Sequence, residues 1–296
     1  MSAQSLSIVV PNKCCVNNCA FCVSKMHCTD TVNMMDDRNK LFDLYLNDYL
    51  DRLEYCRDDK VDTIMLTGSS EPQQNRKFLT YFGLLMQLMK NPFHKIEMQT
   101  TGVLIDRNYL RFLRNHVGVN TIALSLSSFS NEKNREYNGT PIDLKVDIDQ
   151  LCRDIKEYDF NLRLCLNMTD GFNWYDIDSI FSTAKALGAN QITFRMLYSS
   201  YNNTPQDDWI FVHGAKPSAA TSIKEYILEH GTELGTLPYG AKKYSVHGMS
   251  TVVDTDCMNK ENKEENKYYI LRPDCKLYSQ WDDPASLIFL IMRVIL

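Results

Sequence analysis

Apolar residues recur along the chain with two periods, short β-branched runs alternating with longer stretches spaced by three and four. Residues 6–10 read as a first strand. In 38–56, Phe42, Tyr45, Tyr49, Leu53 and Cys56 form the apolar stripe of an amphipathic helix. Strand patterns follow at 61–66, 95–100, 120–126, 160–167 and 191–197. Helical patterns lie between them at 76–89, 107–117, 147–157 and 176–187, the last closed by Gly188.

Strands alternating with helices imply βαβ units and a parallel sheet with right-handed crossovers. Six such units are too few for a closed eight-stranded barrel. They suit an open, partly wound barrel or a doubly wound sheet, and periodicity does not choose between these. Either way, ligands bind in loops after the C-terminal ends of the strands. Beyond residue 197 the pattern loosens. Residues 199–217, with Pro205 and Pro217, read as a long polar loop, 222–230 as a helix, and 244–253 and 268–272 as strands separated by a charged turn at 259–267. The expected division is a core at 1–200 and a C-terminal extension at 201–296 packed on it.

Composition narrows the function. With 296 residues, 44% hydrophobic and 23% charged, the chain suits a globular protein with a sizeable core. A net charge of −5 gives no general attraction to nucleic acid or anionic membranes, so nucleic-acid partners are disfavoured and membranes are not expected. The N-terminus lacks a basic segment followed by a long apolar run, and the longest apolar run, at 287–292, is far short of a membrane span. A cytoplasmic location is the expectation. In a reducing compartment the ten cysteines point to metal binding or chemistry rather than disulfides. Cys14, Cys28, Cys56, Cys152, Cys165, Cys257 and Cys275 have no partner spacing and read as small buried hydrophobes.

The remaining three cysteines form a pattern. Cys15-x3-Cys19-x2-Cys22 follows the first strand, with Phe21 just before the last thiol. Iron–sulfur clusters are held by thiolates, and one short loop can wrap three corners of a cube. Three ligands leave the fourth iron open, as a catalytic metal centre requires. The other reading of the same thiols is a structural zinc site completed by His27 or Cys28.

This motif, placed after the first strand of a β/α repeat, resembles the radical S-adenosylmethionine (SAM) superfamily. The resemblance covers roughly residues 5–200 and implies a partial (β/α)6 TIM-like barrel with a small C-terminal extension. It implies a [4Fe–4S] cluster on Cys15, Cys19 and Cys22, with SAM chelating the open iron. It also implies reductive cleavage of SAM to a 5′-deoxyadenosyl radical that abstracts hydrogen from substrate. Gly68, Ser69, Ser70 and Glu71 fall on a segment that meets the SAM amino group, with Ser70 where Gly is usual. Gln99-Thr-Thr-Gly102 is similar to a third-strand Thr-Asn-Gly, which places Thr100 at the site and Thr101 where Asn is usual. Ser125, Asn167 and Arg195 match polar residues at later strand ends that meet the ribose or carboxylate of SAM; an Arg fork suits a carboxylate. An electron donor such as flavodoxin or ferredoxin is implied as well.

The substrate is not legible, and a small molecule, a nucleotide or a peptide all fit. His213, His247, Trp174, Tyr198, Tyr201 and Trp209 are candidates to line a pocket near the strand ends. Two further readings stand beside the enzyme: a protein that binds cluster or SAM without turnover, and a zinc-stapled β/α module.

Overall fold

A computed structural model describes residues 3–27, 45–237, 240–255 and 266–288. Cys28, Cys257, residues 38–44 of the expected first long helix and most of the charged turn at 259–267 lie outside them.

The strands and helices alternate much as the periodicity predicts. In chain order they are β1 (Ala3–Val9), α1 (Val23–Met26), α2 (Leu46–Asp58), β2 (Thr63–Thr67), α3 (Arg76–Leu88), β3 (Lys95–Thr100), α4 (Arg107–Phe112), β4 (Thr121–Leu126), α5 (Asn131–Tyr137), α6 (Ile148–Glu157), β5 (Asn161–Asn167), α7 (Ile177–Ala186) and β6 (Gln191–Arg195). Then come α8 (Pro205–His213), α9 (Pro217–His230), β7 (Thr232–Thr236), β8 (Lys242–Val246), β9 (Met249–Asp254), β10 (Asn266–Leu271) and β11 (Leu277–Tyr278). Helix starts follow side-chain capping. Asn75, Asp147 and Asp176 each accept a hydrogen bond from a first-turn backbone N–H of α3, α6 and α7.

All these strands join one sheet, ordered β11-β10-β1-β2-β3-β4-β5-β6-β9-β8-β7. The six expected strands are parallel neighbours in chain order, which is the partial barrel implied by the resemblance. Residues beyond 201 then add a parallel strand on each flank, β10 beside β1 and β9 beside β6. No backbone ladder joins β9 to β10 among the described residues, so the sheet stays open. A side-chain ion pair spans those two strands instead: Lys267 Nζ lies 2.9 Å from Asp254 Oδ1, with both side chains largely buried.

The period-two alternation sorts the strand residues between two faces. Leu6, Ile64, Met98, Leu124, Leu164 and Phe194 point outward and are buried in a single core beneath the helices. Each contributes roughly 1.5–3 kcal/mol by leaving water. The residues between them are mostly polar, some half-buried and some, such as Ser7 and Glu97, fully buried, and they line the concave side. There Arg163 Nη1 pairs with Glu97 Oε2 at 2.5 Å, reaching past the small Ala123 of the intervening strand.

Two local expectations change. The supposed loop at 199–217 contains α8, and the supposed strand at 244–253 is the antiparallel hairpin β8–β9. His247 and Gly248 turn that hairpin with φ of 50° and 79°, the left-handed backbone that tight hairpins require. No helix among the described residues is long and apolar enough to cross a membrane.

Candidate functional site

The cysteine loop leaves the C-terminal end of β1 and is held from two sides. On one side is the segment that follows β2. Gln74 accepts from Val16 N (2.9 Å) and donates to the Cys14 carbonyl (3.0 Å). Asn75 donates to the Pro11 carbonyl (2.6 Å), and Asn12 donates to Ser70 Oγ (2.8 Å). On the other side is the end of α5, where Asn18 N donates to the Asn138 and Gly139 carbonyls and Ala20 N to the Tyr137 carbonyl. Gly139 has φ of 53°, and a Cβ there would stand 2.5 Å from Asn18 O, so only glycine permits this approach.

Cys15, Cys19 and Cys22 are all half-buried in this loop, whereas Cys14 is exposed. Burial pushes the Cys19 thiol well above its ordinary value, and the nearby Cys22, Cys15 and Glu71 add to the effect. The Cys15 thiol is raised in the same way, chiefly by burial, with Glu71 and Cys22 contributing. Cys15 and Cys19 are thus costly to ionise alone, and a bound cationic centre would relieve that cost. Among the described residues, no three His, Cys, Asp or Glu side chains converge closely enough to share one metal ion. His27, the other proposed zinc ligand, packs on Tyr198 and faces Asp282.

Glu71 is the buried hub beneath the loop. Its Oε1 accepts from Asn17 Nδ2 (3.2 Å), Thr101 N (3.0 Å) and Thr101 Oγ1 (2.5 Å). Gln73 Nε2 donates to Thr100 Oγ1 at 2.6 Å, so the single Thr100 hydroxyl proton goes to Glu71 Oε2 at 2.8 Å. Burial raises the Glu71 carboxyl above its usual range, and the bonds from Thr101, Thr100 and Asn17 pull against that rise. Thr101 thus completes the hub where Asn is usual, and Ser70 uses its hydroxyl to accept from Asn12. Gly68, at φ of 147°, lets the β2 end lie against Val9 and Val10 of the first strand. Ser69 beside it is exposed.

The remaining predicted residues gather on neighbouring strand ends. Asn167 is in register with Arg195 across β5 and β6, and Ser125 is in register with Cys165 across β4 and β5. Asn167 donates to Ser127 Oγ (3.2 Å), which donates to Asn138 Oδ1 (3.3 Å). This chain links the later strands to the carbonyls that hold the cysteine loop. Phe21 stands apart from the Glu71 hub. Its ring packs on Trp209 of α8, with centroids 5.4 Å apart.

Several residues of this architecture carry no sequence signal of their own. Asn17 is buried, donates to Glu71 and Thr101, and accepts from Thr140 Oγ1 at 2.8 Å. Tyr137 and Asp170 join Trp209 and His213 beside Phe21. Only the position of Asn17 inside the cysteine motif could have drawn attention to it. His247 and Trp174, two of the candidate pocket residues, pack on Phe181 and Phe194 of the apolar core instead.

Residues 9–185 match the radical SAM superfamily. No curated protein matches the chain. Among solved structures, SuiB of Streptococcus suis bound to S-adenosylmethionine gives a TM-score of 0.62 at 14% identity, over 94% of this chain and 60% of that one. The structure of anSMEcpe with bound AdoMet gives 0.61 at 13% identity, over 95% and 75%. Coproporphyrinogen III oxidase (HemN) from Escherichia coli, a radical SAM enzyme, gives 0.51 at 16% identity, over 78% and 54%. At these identities the likeness is one of fold, and the chain spans 60% of the length of SuiB.

Proposed function

The chain belongs to the radical SAM superfamily, whose enzymes use a [4Fe–4S] cluster and SAM, and from this premise we propose that Cys15, Cys19 and Cys22 hold the cluster and that the adjoining strand ends hold SAM. The carrying observation is that these three half-buried thiols share one loop at the C-terminal edge of the parallel sheet, within electrostatic reach of each other and of Glu71. The chemistry that cluster and SAM supply when bound is one-electron cleavage of the sulfonium, releasing methionine and a 5′-deoxyadenosyl radical that takes hydrogen from substrate.

The chain's own residues bind and orient. The loop offers three thiolates and leaves the remaining corner to SAM. Gly68, Ser69 and Ser70 present backbone toward the SAM amino group. Glu71, fixed by Thr100, Thr101 and Asn17, supplies negative charge there. Ser125 and Asn167 offer hydrogen bonds to ribose or carboxylate, and the Arg195 fork suits the carboxylate. Phe21 offers a flat ring for the adenine. The segment 1–200 carries these groups, and 201–296 supplies the flanking strands. A one-electron donor such as flavodoxin or ferredoxin provides the reductant. Substrate is drawn from small molecules, nucleotides or peptides; because anSMEcpe has been solved with a Cp18Cys peptide, peptides belong in the first screen.

Anaerobic reconstitution with iron and sulfide should give brown protein that releases 5′-deoxyadenosine from SAM under a strong reductant. Changing Cys15, Cys19 or Cys22 to Ala should remove the colour and the product, while Cys14→Ala keeps both. Colourless wild-type protein with stoichiometric zinc and no iron would overturn the proposal.

A further inference from the structure

Helix α8 buries none of its residues, yet it is tied firmly to the mouth of the sheet. Its side chains explain the attachment. Trp209 and His213 are four residues apart, so they share one face of the helix. The Trp209 ring meets Phe21 at 5.4 Å, Tyr137 edge-on at 5.0 Å and His213 at 4.7 Å. These separations lie in the range where aromatic pairs attract.

A single carboxylate anchors the group. Asp170, in the loop after β5, accepts from Tyr137 OH on Oδ1 (2.6 Å) and pairs with His213 Nδ1 on Oδ2 (3.1 Å). Its backbone N–H also donates to the His213 carbonyl at 2.7 Å. Tyr137 in turn accepts from Ala20 N through its own carbonyl. The residue that orients Asp170 therefore also holds the backbone next to Phe21. The thiol-bearing backbone is also fixed by Asn12, Gln74, Asn75 and Gly139, and the Tyr137 bond to it comes from a main-chain carbonyl, so a change to the Trp209 ring leaves those supports in place.

We propose that Trp209 is a positioning residue for Phe21, held through His213 and Tyr137 by the Asp170 carboxylate, so that α8 sets the ring against which the adenine of SAM rests. The inference rests on the reading that Phe21 meets SAM. It assigns the side chains of Trp209, His213, Tyr137 and Asp170 to cofactor affinity, and leaves to the Tyr137 carbonyl its part in holding the cysteine loop.

The test uses the reconstituted full chain, with equilibrium SAM binding, iron content and the steady-state kinetics of 5′-deoxyadenosine release. Trp209→Ala should weaken SAM binding about tenfold, the loss expected from removing a well-formed aromatic contact. The KM for SAM should rise with little change in kcat, and iron content should stay at the wild-type level. Trp209→Phe, which keeps a ring in place, should recover most of the affinity, and Asp170→Ala should weaken SAM binding in the same direction. The proposal is overturned if Trp209→Ala binds SAM within about twofold of wild type, or if it loses iron and affinity together without rescue by Trp209→Phe. Wild-type protein that holds no iron and binds no SAM would sink the proposed function, and this inference with it. Intact wild-type turnover beside an unchanged Trp209→Ala sinks the inference alone.

Discussion

At the scale of single residues, the site depends on a buried carboxylate that neutral donors hold in place. Burial works against the ionised form of Glu71, and bonds from Thr101, Thr100 and Asn17 offset that penalty. Asn17 is the critical partner because it bridges Glu71, Thr101 and Thr140 from inside the cysteine motif. Asn17→Ala should cost about 1–3 kcal/mol, the penalty for leaving buried polar groups unpaired, as read by urea unfolding. Asn17→Asp should cost more, since it sets a second carboxylate against Glu71. Equal stability of the two variants would contradict this account. The thiols were legible in the sequence because their spacing lies within one short loop. Asn17 was not, because its partners lie 54, 84 and 123 positions away. Local pattern carries no record of such contacts.

Among the elements, α8 shows what hydrophobic periodicity misses. A helix without a buried stripe gives no period to read, so its segment looked like a polar loop. Its start was written in another code. Thr204 and Asp207 form a reciprocal capping box, with Pro205 at the first helical position. Thr204→Ala should therefore cost about 0.5–2 kcal/mol within α8. The loss should appear as faster amide hydrogen exchange across 205–213, with the global unfolding midpoint nearly unchanged. Unaltered exchange there would show that the aromatic contacts alone keep the helix formed. The hairpin β8–β9 was missed for a different reason. Both arms have strand character, and of the two left-handed residues that divide them only Gly248 is a turn residue, while His247 beside it is not, so the signal is a single glycine within a strand pattern.

Across the whole molecule, the parallel sheet is extended from both flanks by the last third of the chain. Asp254 and Lys267 are 13 positions apart in sequence, yet their strands end the two sides of the parallel run. Their pairing bridges a gap that no backbone ladder among the described residues crosses. Both side chains are largely buried, so Lys267→Met or Asp254→Leu alone should destabilise by up to about 3–5 kcal/mol, each taking a buried ion-pair partner from the charge that remains. The double variant should recover most of that loss in chemical denaturation. If it is as unstable as the single variants added together, the pair does not act as a unit. The sequence by itself determined the alternating elements, the parallel arrangement of the first six strands and the spacing that puts three thiols in one loop. Each of these follows from periodicity or spacing within a few residues. Only the tertiary structure decided which flank each late strand joins, that Glu71 is a buried hub and that α8 clamps Phe21. Apolar alternation shows that a strand has a face to bury, but it does not name the neighbour. That choice is made by contacts between distant parts of the chain, once the sheet edges exist to receive them.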